Sequence, residues 1–93
     1  GLMNTTAVAA NVVTVLQGAG KVSKDEVVAV LVGMCDVLQA SYKGRLAIMV
    51  PRSPSTVSPR WMTVYAWQIV ELCDRHGRTE TQVMEALTTV LAK

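Results

Sequence analysis

Helix-capping signals divide this chain into four segments, and they constrain its fold more than any other feature. Each signal is a side-chain oxygen that can accept a hydrogen bond from a free backbone amide at the start of a helix. Ser23 and Thr79 are followed three residues later by Glu26 and Gln82, which is the spacing of a capping box. Ser58 precedes a proline, which is favoured at the first helical position. Because apolar residues recur at helical spacing after each signal, we predict four helices.

The first predicted helix runs from a cap at Asn4, Thr5 or Thr6 to about residue 17. The second covers residues 24 to about 41, the third residues 59 to about 75, and the fourth begins after Thr79. The third is apolar on almost every side, which predicts that it lies at the centre of the domain. Predicted core positions in the other helices are Val8, Val12, Val15 and Leu16; Val27, Val28, Leu31, Met34, Cys35 and Leu38; and Val83, Leu87, Val90 and Leu91.

A short β excursion is predicted between the second and third helices. Residues 45–50, RLAIMV, are mostly apolar and end at a proline, which suits a strand better than a six-residue helix. The predicted fold is therefore mostly α: a compact domain of four main helices with a short β-strand or hairpin excursion between the second and third. At 93 residues the chain is one domain. We expect residues 1–3 to be cloning remnants and the domain to be excised from a longer chain.

Composition excludes several protein classes. Just over half of the residues are apolar and 17% are charged, so intrinsic disorder is not expected. The longest apolar run, residues 27–35, is far shorter than the roughly 20 residues of a membrane span, and no signal peptide is visible. We therefore predict a soluble, cytoplasmic protein. Cys35 and Cys73 lie within apolar helical patterns, which predicts reduced core thiols and not a disulfide framework.

Nothing in the sequence assembles a catalytic or metal site. A zinc ion needs three or four ligands, and the chain offers one histidine and two separated cysteines. His76 is interpreted as a residue that interacts with the end of the third helix. No nucleophile can be paired with a base, because both cysteines fall on predicted core faces. We therefore predict no catalytic residue, no metal and no cofactor, and hence a protein that is not an enzyme.

The predicted binding role rests on residues 43–60, KGRLAIMVPRSPSTVSPR, which we call the basic window. It contains four cations, all three prolines and no carboxylate, and no acidic residue occurs between Asp36 and Glu71. Three of the four cations are arginines, which suit bidentate pairing with carboxylates. The apolar run and the aromatic helix that follows predict an apolar patch beside them. The predicted partner-binding residues are Lys43, Arg45, Arg52, Arg60 and Tyr65.

Several alternatives remain open. The window can be a solvated loop that only maintains solubility. A nucleic-acid-binding domain is a second possibility, although the net charge of +2 is small for that class. A helix-turn-helix built on the last two helices would present Glu80 and Glu85 to phosphates, which argues against it. The third possibility is a structural or dimerisation domain in which Trp67 and Val70 form a self-interface.

Three short motifs in residues 24–92 resemble the C-terminal domain of rhabdovirus phosphoproteins. They are Tyr42-Lys43; Pro51-Arg52-Ser53; and Ser58-Pro59-Arg60 followed by Trp61, Val64, Tyr65 and Trp67. The resemblance implies a small, mostly helical domain with a minor β element that binds the viral nucleoprotein on its RNA and so tethers the polymerase to the template in the host cytoplasm. It implies that a basic patch, here Lys43, Arg45, Arg52 and Arg60, meets an acidic segment of the nucleoprotein.

The resemblance also implies that the polymerase is contacted by other parts of the full-length chain, and that neither a membrane nor free nucleic acid is the partner. This sequence departs from the pattern of the animal viruses in a shorter connection before the third helix and in few lysines near its end. These departures suit a distant, plant-infecting member of the family.

Overall fold

Four α-helices form in the computed structural model, which describes residues 1–40 and 56–93. They are α1 (Thr5–Gly18), α2 (Lys24–Leu38), α3 (Pro59–Arg75) and α4 (Glu80–Leu91). The predicted set of four helices is confirmed. The strand predicted over residues 45–50 lies outside the described residues. Within the described ranges, β-type pairing is limited to one antiparallel bridge between Ser23 and Thr56, where the Val57 amide also donates to the Val22 carbonyl at 3.0 Å.

The starts of the helices follow the capping signals. Asn4, Ser23, Ser58 and Thr79 each accept a hydrogen bond from a first-turn amide. The box at Thr79 is complete, because its amide donates to Gln82 Oε1 at 2.8 Å and the Gln82 amide donates to Thr79 Oγ1 at 3.2 Å. At the start of α2 the Ser23 hydroxyl donates to Glu26 Oε1 at 2.8 Å. This hydrogen bond is the main cause that lowers the pKa of Glu26.

The first three helices end in the same way, in a Schellman turn. The residue in the left-handed conformation is Gly20 after α1, Gln39 after α2 and Gly77 after α3. In each turn the next amide reaches back to a carbonyl in the last helical turn: Lys21 to Leu16, Ala40 to Cys35 and Arg78 to Cys73, at 2.9–3.0 Å. The prediction that α2 extends to about residue 41 was wrong. A glutamine is an unusual residue for this conformation, so the sequence carries no stop signal there.

Arg78 links two of these turns. Its Nε donates to the Leu38 carbonyl at 2.9 Å, and one of its terminal nitrogens donates to the His76 carbonyl at 3.1 Å. The guanidinium therefore lies between the C-terminal ends of α2 and α3, where the carbonyl groups give each helix a partial negative charge. These bonds hold together the ends of two helices that are about 40 residues apart in the chain.

Packing does not follow the order of the helices along the chain. α3 packs mainly against α1 and also contacts α2, whereas α2 packs mainly against α4. α1 and α4 share a smaller contact, and the consecutive pairs α1–α2 and α3–α4 make little contact. Although its opposite side is exposed, α3 supplies more buried residues than any other helix of the described residues: Met62, Tyr65, Ala66, Ile69, Val70, Leu72 and Cys73.

Some predicted core positions were wrong. Val15 is 36% exposed, and Val13 is buried in its place. Val30 is buried, whereas Val28 is only partly buried. Because valines occupy several neighbouring positions of both helices, hydrophobicity alone cannot select which of them face the core. Leu38, Val90 and Leu91 also lie at the edge of the core and are only partly buried.

The role of Arg78 can be tested by measuring unfolding in urea. Replacement Arg78→Ala is expected to lower the free energy of unfolding by about 1–3 kcal/mol, because it removes charge-assisted hydrogen bonds to two helix ends. Arg75→Ala is the matched control, since Arg75 lies three residues earlier, is exposed, and pairs with the partly exposed carboxylate of Glu71. We expect that control to lose about 0.5 kcal/mol or less. Equal losses in the two variants would contradict the role given to Arg78.

The contact between α2 and α4 depends on Gly33. A β-carbon at this position would lie 3.2 and 3.3 Å from the two methyl carbons of Val90. We expect Gly33→Leu to lower the free energy of unfolding by about 1–3 kcal/mol through overpacking. Val90→Ala added to that variant should restore part of the loss in a double-mutant cycle. Gly18→Leu is the control, because a β-carbon at Gly18 meets nothing within 4 Å, and it should cost less.

Candidate functional site

The described residues include two of the five predicted partner-binding residues. Arg60 is exposed in the first turn of α3, whereas Tyr65 lies in the core with 1% of its surface exposed. Lys43, Arg45 and Arg52 lie outside the described residues. The structure therefore separates Arg60 from Tyr65: one side chain is open to a partner, and the other contributes to folding.

Arg60 occupies a position that helix stability does not favour. The amides at the start of a helix carry a partial positive charge, which attracts acidic and repels basic side chains. The first turns of α2 and α4 contain acidic residues, but the first turn of α3 contains none and carries Arg60 instead. In the described part of the chain, no ion pair includes Arg60. The guanidinium and the helix end together produce a local positive potential.

Arg60 shares one side of α3 with an exposed tryptophan. The spacing of Arg60, Val64 and Trp67 is four and then three residues, which places them on the same face of the helix. Trp67 is 39% exposed, and Val64 is partly exposed. We call the surface formed by Arg60, Thr63, Val64 and Trp67 the outer face of α3. Tryptophan and arginine are the residue types most enriched among those that dominate binding energy in protein interfaces.

The outer face of α3 contains no acidic residue that could pair with Arg60. The first acidic residue after Asp36 is Glu71, one turn beyond Trp67. Its carboxylate forms a hydrogen-bonded ion pair with Arg75, four residues further along the same helix. The first negative charge after the basic window is therefore paired within α3. This arrangement leaves the positive charge of Arg60 available to an acidic group from another molecule.

Tyr65 lies in the core on the buried side of α3 and packs against Trp61. Its ring stacks on that of Trp61, with ring centroids 5.0 Å apart and an angle of 13° between the rings. Trp61 is partly buried and packs against the core. Tyr65 was predicted to contact the partner, but it lies on the buried side of α3. The signal that could have identified Trp67 is its position opposite the stripe formed by Met62, Ile69 and Cys73.

The proposed self-interface of Trp67 and Val70 is corrected by the burial of Val70. Its side chain has no exposed surface and belongs to the core. The two residues are three positions apart, but they lie on opposite sides of the boundary between core and solvent. A self-interface can therefore include Trp67 but not Val70.

Among the described residues, we find no second candidate for a binding or catalytic site. No cluster of metal-binding side chains occurs in residues 1–40 and 56–93, and no helix there is long and apolar enough to cross a membrane. The His76 ring lies against the Leu72 carbonyl at 2.9 Å, at the end of α3 as predicted. A cleft of about 320 Å³ lies between residues 1–4 and the α3–α4 turn. The carboxylate of Asp74 on its wall already accepts hydrogen bonds from the amides of Leu2 and Met3 at 3.1 Å.

The contrast between Tyr65 and Trp67 can be tested by stability measurements. Tyr65→Ala is expected to lower the free energy of unfolding by about 3–5 kcal/mol, because it empties a fully buried aromatic position. Trp67→Ala, two residues further along α3 and on the solvent side, should cost about 1 kcal/mol. Chemical denaturation of both variants checks this order. A larger loss for Trp67→Ala would show that its side chain is a core residue and not a surface residue.

Comparisons with known proteins add no assignment. No protein-family model, curated protein or solved structure matches this chain. The resemblance to the C-terminal domain of rhabdovirus phosphoproteins stays a prediction. Of the motifs on which it depends, the structure describes Ser58-Pro59-Arg60 and the aromatic helix that follows.

Proposed function

We propose that this domain is a non-enzymatic protein-binding module that docks an acidic segment of a partner protein on the outer face of α3. The observation that carries the proposal is the exposure of Arg60 and Trp67 on one side of a helix, within a stretch of chain that has no carboxylate between Asp36 and Glu71. The proposal keeps the other cations of the basic window, Lys43, Arg45 and Arg52, as predicted partner-binding residues.

Two physical steps make up the proposed mechanism. Long-range attraction between the cations and acidic side chains of the partner accelerates the encounter and orients it. After docking, the Arg60 guanidinium pairs with a carboxylate through two parallel hydrogen bonds, and the indole of Trp67 excludes water and supplies apolar contact. The apolar contact lengthens the lifetime of the complex.

The family resemblance narrows the proposed partner to a viral nucleoprotein in its complex with RNA. In this proposal the domain attaches the polymerase to its template, while other parts of the full-length chain contact the polymerase itself. The short β excursion predicted over residues 45–50 is part of the same proposed family fold. Support for this narrower proposal comes from the Ser58-Pro59-Arg60 motif and the aromatic positions of α3.

Nucleic-acid binding is the second candidate, because an exposed tryptophan beside an arginine can also stack on a base and contact a phosphate. The fourth helix argues against it, since Glu80 is in its first turn and both Glu80 and Glu85 are exposed. A free nucleic acid should show a steep dependence of affinity on salt, whereas a protein partner with apolar contacts should depend on salt less steeply.

The proposal is tested by binding of the purified domain to a rhabdovirus nucleoprotein–RNA complex and, in a separate arm, to single-stranded RNA alone. Arg60→Glu and Trp67→Ala are each expected to weaken binding to the nucleoprotein complex about tenfold or more. Lys93→Glu, the same reversal of charge at the exposed end of the chain, is the matched control and should change affinity about twofold or less.

Unchanged affinity of Arg60→Glu would refute the site. Equal binding of RNA alone would favour the nucleic-acid alternative over the protein-binding proposal. Sedimentation at several protein concentrations tests the third alternative, a dimerisation domain. A monomer at every concentration leaves that alternative without support.

A further inference from the structure

The two cysteines of the chain meet inside the core. Cys35 on α2 and Cys73 on α3 are free thiols with 1% and 0% of their surface exposed. Their side chains lie within interaction range of each other across the contact between α2 and α3, and each shifts the pKa of the other. The prediction of reduced core thiols is confirmed, but the pairing of these two residues was not visible in the sequence.

The backbone holds both residues in equivalent positions. Each cysteine lies four residues before the left-handed residue of a Schellman turn, and its carbonyl accepts the closing hydrogen bond, from Ala40 at 2.9 Å or from Arg78 at 3.0 Å. The bond from Arg78 Nε to the Leu38 carbonyl then joins one turn to the other. The positions of both cysteine backbones are therefore defined by regular helices and by turns that are bonded together.

We propose that Cys35 and Cys73 form a redox-responsive pair, which an oxidant of the peroxide class converts into an intramolecular disulfide between α2 and α3. A disulfide requires two β-carbons that approach closely and point towards each other. Two buried thiols near the ends of packed helices, with both backbones held by turns that Arg78 joins, favour this arrangement without a change of fold. The inference does not depend on the proposed binding function.

Formation of the disulfide takes two steps. A thiolate of the pair attacks one oxygen of hydrogen peroxide, the O–O bond breaks, and hydroxide leaves to give a sulfenic acid. The second thiol then attacks that sulfur, its proton and the displaced hydroxyl leave as water, and the S–S bond forms. The hydrogen bond with Cys35 lowers the pKa of Cys73, and the positive charge of Arg78 acts in the same direction.

Burial gives the pair selectivity. A buried thiol reacts only when the protein opens locally, which protects it from slow, non-specific oxidation. When one thiol is oxidised, its neighbour is already in place, so disulfide formation outpaces further oxidation to sulfinic acid. The new bond closes a loop from residue 35 to residue 73 that contains the basic window and most of α3. A cross-link of this length restricts the unfolded chain and stabilises the fold.

The test is oxidation of the reduced, folded domain with hydrogen peroxide, followed by intact-mass analysis and non-reducing peptide mapping. We expect the loss of two hydrogen atoms, a peptide that links Cys35 to Cys73, and a melting temperature that rises by roughly 10 °C and returns on addition of reductant. Cys35→Ala and Cys73→Ala should each lose both the link and the rise. Peptide mapping of the wild-type protein suffices if either variant fails to fold.

Three results would overturn the inference. In the first, both thiols of the folded protein can still be alkylated after an oxidant treatment that links the same two thiols in a urea-unfolded sample. The oxidised protein could instead contain only disulfides between separate chains. Sulfinic or sulfonic acid without an internal link would show that the two sulfurs do not meet in the folded protein.

Discussion

The burial of α3 against α1 and α2 is the contact on which the rest of the structure depends. A chain of this length supports one core, and α3 contributes seven buried residues to it. Because one side of the helix is covered, the opposite side must face solvent, and that side carries Arg60 and Trp67. The same packing brings the end of α3 beside the end of α2. The candidate surface and the cysteine pair are therefore two consequences of one packing arrangement.

The two features lie at opposite ends of α3 and rely on different physics. Arg60, in the first turn, depends on exposure and on the absence of nearby acidic residues in the chain. Cys73, in the last turn, depends on burial and on the bonds that Arg78 makes to two helix ends. A substitution that abolishes binding at the start of the helix should leave the thiol pair in place, so each can be altered without the other.

The candidate site was only partly predictable from the sequence. Arg60 was identified because the basic window is a local feature of composition. Tyr65 was misplaced, and Trp67 was assigned to a self-interface with the buried Val70. The spacing of Met62, Ile69 and Cys73 marks the buried side of α3, but apolar residues on its flanks, such as Val64 and Val70, obscured where that side ends. The decision depends on which neighbouring helices cover α3.

The sequence by itself determined where the helices begin, because a cap is a hydrogen bond between residues at most three positions apart, as at Ser23, Ser58 and Thr79. It also signalled the ends of α1 and α3 through glycines. Only the tertiary structure decided that α2 ends before Gln39, that Val13 and not Val15 is buried, and that Cys35 meets Cys73. Each of these outcomes depends on contacts between residues that are distant in the chain, which no local pattern encodes.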